Sequence, residues 1–206
     1  VRSRGLGDVY KRQAHGRHLH RLAWALDDRP VEVDRAAKSV GHEETYATDL
    51  HTHDELHREL VRLADGVAGR LRAQGLAART FTLKVRFTDF HTISRAVTVD
   101  AAISTAHGIV HTVEPLLTAV DPGPGVRLLG VSASNFGESA EQLSLDQLLE
   151  PDAATPQEWQ AAEDTIDQIR SRFGNAAIGP ASAVGVHGLR VVRRGAQQWG
   201  PDQPSR

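Results

Sequence analysis

Thr80-Phe81-Thr82-Leu83-Lys84-Val85-Arg86-Phe87-Thr88-Asp89-Phe90 is the stretch from which the fold can be read. Phe81, Leu83, Val85 and Phe87 alternate with Thr80, Thr82, Lys84, Arg86 and Thr88. Successive side chains of a strand project to opposite faces. One face of this strand therefore seeks a core, and the other presents cations and hydroxyls. Asp89-Phe90-His91 reads as a short turn into a second strand, Thr92 to Val99. Alternation is disturbed near Arg95, which predicts a bulge there.

Working outward, Thr52-His53-Asp54-Glu55 is a capping box: the Thr52 hydroxyl takes an early N–H while Glu55 reaches back. Leu56, Leu60, Leu63, Ala64, Val67 and Leu71 follow as one apolar helical stripe, and Gly75 supplies a left-handed closing residue. Lys38 to Thr48 suits a strand before this helix. Downstream, Asp100 is expected to cap a second helix carrying Ile103, Ala106, Val110, Val113, Leu116 and Leu117. Pro115 should kink or shorten it. Pro122-Gly123-Pro124-Gly125 is a loop, and Val126 to Ala133 a final strand. The order β-α-β-β-α-β predicts an α+β domain over 38–137: a four-stranded sheet with two helices on one face.

Around that domain, residues 1–13 (VRSRGLGDVYKRQ) show no periodicity and resemble a translated sequencing-adaptor scar; a disordered basic tail is the alternative. Gly16 to Leu26 has Leu19, Leu22, Ala23 and Leu26 at helical spacing, ended by Asp27-Asp28-Arg29-Pro30. With the tether that follows, this makes a unit over 14–37. Residues 138–154 form a polar linker. A C-terminal extension over 155–206 opens with Thr155-Pro156-Gln157-Glu158, a second capping box. Trp159, Ala162, Ile166, Ile169 and Phe173 form its helical stripe, and Gly188 to Arg194 suit an edge strand.

The chain has 206 residues, a formal charge of −2 and no cysteine, which excludes disulfides and thiolate zinc sites. Without cysteine the cytoplasm fits best, no apolar run is long enough for a membrane span, no secretory signal is visible, and a monomer is expected. Charge distribution says more than the sum. Between Arg79 and Val99 stand Arg79, Lys84, Arg86 and Arg95 against Asp89, four minus one, or +3. The preceding helix carries Asp54, Glu55, Glu59 and Asp65. Basic strands beside an acidic helix predict one positive face.

His53 and His57 lie one helical turn apart, but Asp54 stands where a zinc-hydrolase helix needs glutamate, so a solvated face is the better reading. Glu43 and Glu44 are adjacent on a strand and should point to opposite faces, away from any shared metal. No self-contained active site is expected. The basic strand face remains: successive side chains there can meet successive phosphates with threonines between them. The alternative is an ordinary solvated sheet face.

Gly16 to Val31 (GRHLHRLAWALDDRPV), Lys38 to Thr45 (KSVGHEET), Arg79 to Arg95 (RTFTLKVRFTDFHTISR) and Val126 to Val131 (VRLLGV) resemble the lesion-bypass (Y-family) DNA polymerases of the DNA polymerase IV type. The tail segments Ile169 to Gly174, Gly179 to Ser182 and Gln198 to Pro201 are similar to high-GC bacterial members. The resemblance implies the end of a thumb and a little-finger domain, whose sheet lies in the major groove of a primer–template duplex and grips both backbones. Carried over position by position, Lys38, Ser39, Gly41, Arg79, Lys84, Arg86, Thr92, Ser94, Arg95 and Arg127 would approach DNA.

The family's palm carboxylates lie upstream and nothing in this chain matches them. The resemblance implies a template-directed polymerase using Mg2+ for the parent, with no cofactor and no catalysis in this part alone. Gln142-Leu143-Ser144-Leu145 resembles the peptide that docks such polymerases on the replicative sliding clamp, although Asp146 replaces the usual phenylalanine. The clamp is thus a second expected partner beside duplex DNA, with a plain linker as the alternative. A stand-alone or catalytically dead nucleic-acid-binding adaptor is the rival reading of the whole chain.

Overall fold

The computed structural model describes residues 6–30, 36–137, 155–185 and 188–189, in two compact units divided after Ala36. In the first unit, helix α1 runs from Leu6 to Ala23 and so begins well before Gly16. Tyr10-Lys11-Arg12-Gln13-Ala14 is composed largely of good helix formers, which need no amphipathic stripe to be helical. The helix also stops before Asp27: Ala25 takes a left-handed φ of 56° and the Leu26 N–H closes back on the Arg21 carbonyl at 2.9 Å. Leu19, Trp24 and Leu26 remain exposed.

The second unit contains the sheet. Strand β1 (Ser39–Leu50), helix α2 (His53–Arg72), strands β2 (Ala77–Phe87) and β3 (Thr92–Ile103), helix α3 (Ala106–Thr118) and strand β4 (Val126–Gly137) follow in the expected order. All pairings are antiparallel, and the spatial order is β1-β4-β2-β3. Helix α2 packs over β1 and β4, and α3 over β2 and β3, so one sheet face is covered and the other is not. The expected α+β architecture is therefore the observed one.

The apolar stripes meet under this helical layer. Leu56, Leu60, Leu63, Ala64, Val67 and Leu71 of α2 are all fully buried, as are Phe81 and Val85 of β2. Thr52 and Glu55 form both halves of the expected capping box. At the other end Gly75, at φ 64°, closes the helix as a Schellman motif: Leu76 N–H bonds the Leu71 carbonyl and Gly75 N–H the Arg72 carbonyl, both at 2.9 Å. Phe87 departs from expectation in being only partly buried, at the edge of the core.

Strands β1 and β4 run on past Thr48 and Ala133, and three further features differ from the sequence reading. Strand β3 runs on through Asp100 to Ile103, and Thr105 caps α3 instead, its hydroxyl accepting the Gly108 N–H. The β2–β3 register is continuous from Arg86↔Thr92 to Thr80↔Thr98 and shifts only beyond it, so the irregularity lies past Thr98, away from Arg95. Helix α3 continues to Thr118, three residues beyond Pro115, as a single helix.

Beyond the sheet, Thr155 caps helix α4 (Pro156–Phe173) with the second capping box. A 3-10 turn (Ala181–Ala183) and two paired two-residue strands, β5 (Val184–Gly185) and β6 (Gly188–Leu189), follow. Helix α4 is held to the helical layer mainly by charge. Arg72, buried at the end of α2, pairs with Glu163 and makes a two-pronged contact with Asp167 at 2.7 and 3.0 Å. Arg170 forks onto Asp65 at 2.9 and 3.1 Å. Glu163 also accepts the Ala106 N–H at 2.6 Å, capping α3 from outside, while Trp159 stacks on His107 with centroids 4.2 Å apart.

Candidate nucleic-acid interface

Because directly opposed residues of an antiparallel ladder share a face, the uncovered side of the sheet can be written rung by rung. Ser39, Ser134, Thr80 and Thr98 form the first rung, Gly41, Ser132, Thr82 and Ala96 the second. Glu43, Gly130, Lys84 and Ser94 form the third, and Thr45, Leu128, Arg86 and Thr92 the fourth. The first rung is hydroxyl throughout, and the cations gather on the last two.

Of the residues singled out from sequence, Ser39, Gly41, Lys84, Arg86, Thr92 and Ser94 come together on this face. Lys38 is exposed directly before β1. Arg86 Nε donates to Thr92 Oγ1 at 2.9 Å, which holds its guanidinium along the rung. Lys84 Nζ lies 2.7 Å from the Glu43 carboxylate.

Two residues do not join them. Arg95 stands opposite Leu83 and therefore belongs to the helix-covered side, where its guanidinium lies 3.5 Å from the Ala119 carbonyl. Arg79 has the opposite parity from Thr80 and is only partly exposed, with Nε enclosed beside Gly137. The +3 read from the β2–β3 sequence is accordingly corrected. On the four rungs Lys84 and Arg86 oppose Glu43, two minus one, or +1.

Arg127 sits at the irregular end of β4, where the register shifts between Arg86 and Phe87. Its guanidinium stacks 5.3 Å from the Phe90 ring centroid at the tip of the β2–β3 hairpin. Phe90 is two-thirds exposed and left-handed, with φ 66°. Gln142, Leu143, Ser144 and Leu145 lie outside the described residues.

Sequence reasoning missed two members of this region. Glu43 shares the parity of Ser39 and Gly41, so alternation alone places it on the open face. Arg70 belongs to α2, yet it reaches round the edge strand β1 and donates to the Gly41 carbonyl at 2.6 Å. It helps line an open-face depression of about 340 Å³ together with Gly41, Glu43, Thr82, Lys84, Gly130 and Ser132.

Beneath the same strand, His42 is buried on the covered face, opposite Val131. Gly66 of α2 makes room for its ring, since a Cβ there would stand 2.5 Å from Nδ1. Burial, reinforced by the neighbouring Arg70 and Arg62 cations, pushes its pKa down to about 4. Adjacent Glu44 faces the same side and pairs with Arg62, whereas Glu43 pairs with Lys84 on the open side. The two carboxylates diverge as a strand requires.

His57 Nδ1 lies 2.8 Å from Glu114. Among the described residues no three His, Asp or Glu side chains converge on a metal-sized site. Nor is any described helix long and apolar enough to cross a membrane.

A family model described as the impB/mucB/samB family C-terminal domain matches residues 37–146, the stretch that holds the whole sheet. The chain belongs to this family. Its relatives include "DNA polymerase IV" of Streptomyces coelicolor, 41% identical over 130 residues that make up 63% of this chain and 27% of that protein. "DNA polymerase IV" of Caulobacter vibrioides is 34% identical over 163 residues, 79% of this chain and 39% of the relative. The chain thus spans about a quarter to two fifths of the length of these relatives.

Solved structures similar to it include a complex of beta-clamp processivity factor and the little finger domain of PolIV. That match is 25% identical, covers 52% of this chain and 97% of the other, and has a TM-score of 0.42. A Y-family DNA polymerase chimera is 18% identical over 66% of this chain and 40% of its own, with a TM-score of 0.45.

Proposed function

We propose that this chain grips the backbone of primer–template duplex DNA through its uncovered sheet face, as the C-terminal part of a translesion DNA polymerase. The observation that carries the reading is the open face itself. Four consecutive rungs present hydroxyls and the Lys84 and Arg86 cations with no helix over them, within a domain of the impB/mucB/samB family. Such a surface suits contacts to phosphates and sugars, which position a protein on a duplex without reading sequence. Lys38 before β1 and Arg127 at the hairpin end would extend the grip along the groove.

A polymerase activity would belong to the whole protein, as the relatives' name "DNA polymerase IV" suggests, and the Mg2+ and palm carboxylates that the family resemblance implies would lie outside this part. The Gln142–Leu145 peptide would add docking on the sliding clamp. The part in hand would bind and orient DNA without performing chemistry.

Titration of a labelled primer–template duplex tests this directly. If about three to five phosphates are neutralised, log affinity should fall against log salt with a slope of roughly −3 to −4. Replacing Lys84 and Arg86 together by Ala should weaken binding about tenfold or more and flatten the slope by roughly two. Salt-independent binding, or a double variant that binds like the parent chain, would refute the assignment of this face.

A further inference from the structure

The helical layer sends one cation to the open face. Arg70 lies in the last turn of α2, on the covered side of the sheet, yet its side chain is exposed and its guanidinium bonds the carbonyl of Gly41. That contact is possible because β1 is an edge strand: no neighbour lies beyond it to block the route. Gly41 is itself an open-face position on the second rung, paired with Ser132.

The depression beside it is shaped by small residues. Gly41 and Gly130 leave the floor without side chains, and a Cβ at Gly130 would stand 2.8 Å from the Glu43 Cβ. Thr82 and Ser132 supply hydroxyls, and Lys84 supplies a second cation on the next rung, where it pairs with the Glu43 carboxylate that also lines the depression and that a phosphate would have to displace from it. Arg70 makes no ion pair among the described residues, unlike Arg62, Arg72 and Arg170 of the same neighbourhood.

We infer that Arg70 is a DNA-backbone contact. It and Lys84 would flank the trough at Gly41 and Gly130, in which a phosphodiester group sits against the Thr82 and Ser132 hydroxyls. This rests on the proposed duplex binding by the open face and adds to it a residue that the strand pattern does not contain. Single-bond anchoring on the Gly41 carbonyl leaves most guanidinium donors free, and a guanidinium is built to fork onto phosphate oxygens.

The experiment uses the full chain and a labelled primer–template duplex. Arg70→Gln removes the charge while keeping an N–H donor for the Gly41 carbonyl. Duplex affinity should fall about three- to tenfold, and the salt slope should flatten by about one, the share of a single phosphate contact. Arg70→Lys should restore the slope, and thermal melting should be the same in all three chains. The Lys84/Arg86 double Ala variant serves as the comparator. If it loses binding while Arg70→Gln keeps parental affinity and slope, the Arg70 contact is wrong and the open-face reading stands. If neither variant loses binding, the open-face reading falls and this inference with it. An affinity loss with an unchanged slope and a lowered melting temperature would assign Arg70 a structural role only and overturn the proposal.

Discussion

Arg95 and Leu83 face each other directly across the β2–β3 ladder, which turns the Arg95 side chain toward the helices. Three pairs along the ladder, Arg86 and Thr92 make the same kind of pair on the opposite side of the sheet. Two arginines of one ladder thus have different surroundings, and duplex binding should separate them. Arg86→Ala is expected to weaken primer–template binding several-fold, about 1 kcal/mol for a lost phosphate contact. Arg95→Ala should change it less than about twofold. Anisotropy titrations at one fixed salt concentration decide it, and equal losses would mean that Arg95 reaches round the β3 edge.

A second prediction concerns the core. Phe81 is fully buried on the covered face, whereas Phe87 is only partly buried near the hairpin. Phe81→Ala should cost roughly 3–5 kcal/mol through lost burial and the cavity left behind. Phe87→Ala should cost clearly less, because part of its ring already meets solvent. Urea denaturation of both variants tests the order. Lys84→Ala and Arg86→Ala, from the other face of the same strand, should each stay within about 0.5 kcal/mol of the parent.

Much of this was legible because local chemistry repeats at short range. The Thr52 and Thr155 boxes, the α2 stripe and the alternation of β2 are each decided by residues within a few positions of one another. Where distant strands set the outcome, the sequence misled. Asp100 is a good cap in isolation, but β3 gains more by running on beside β2, and Thr105 takes the role. Arg95 looked like part of a basic face because a bulge beside it would have turned it there; the ladder runs unbroken from Thr92 to Thr98, so plain alternation places Arg95 with Ile93 and Val97. Arg70 could not be found at all, since its relevance arises only from the edge position of β1. Glu43 was readable from parity and still escaped a charge count confined to β2 and β3.

The docking of α4 gives a third prediction. Glu163 is buried, pairs with Arg72 and caps α3 through the Ala106 N–H. Glu163→Ala would leave Arg72 with Asp167 and the Ser104 carbonyl and would take from the α3 N-terminus the acceptor of the Ala106 N–H, while Thr105 still caps Gly108, which should cost about 3–5 kcal/mol locally. Amide hydrogen exchange should then accelerate throughout α4 while the strands of the sheet keep their protection. Uniform loss of protection across both would show α4 to be part of the same cooperative unit as the sheet.

The last prediction uses His42. Burial, with Arg70 and Arg62 nearby, lowers its pKa from 6.5 to about 4. Between those two values the unfolded chain binds a proton there that the folded chain refuses. Acidification through this window therefore favours unfolding. The contribution is fully present above pH 6.5, declines as pH falls, and is exhausted near pH 4. A shift from 6.5 to about 4 corresponds to roughly 3 kcal/mol. His42→Gln removes the titrating group, so the absolute stability of the variant matters less than its pH dependence. Urea denaturation at pH 7 and pH 4.5 should show the parent losing markedly more stability than the variant between the two conditions. Parallel losses in both chains would mean that His42 accepts its proton inside the fold, and that the space made by Gly66 admits the charged ring.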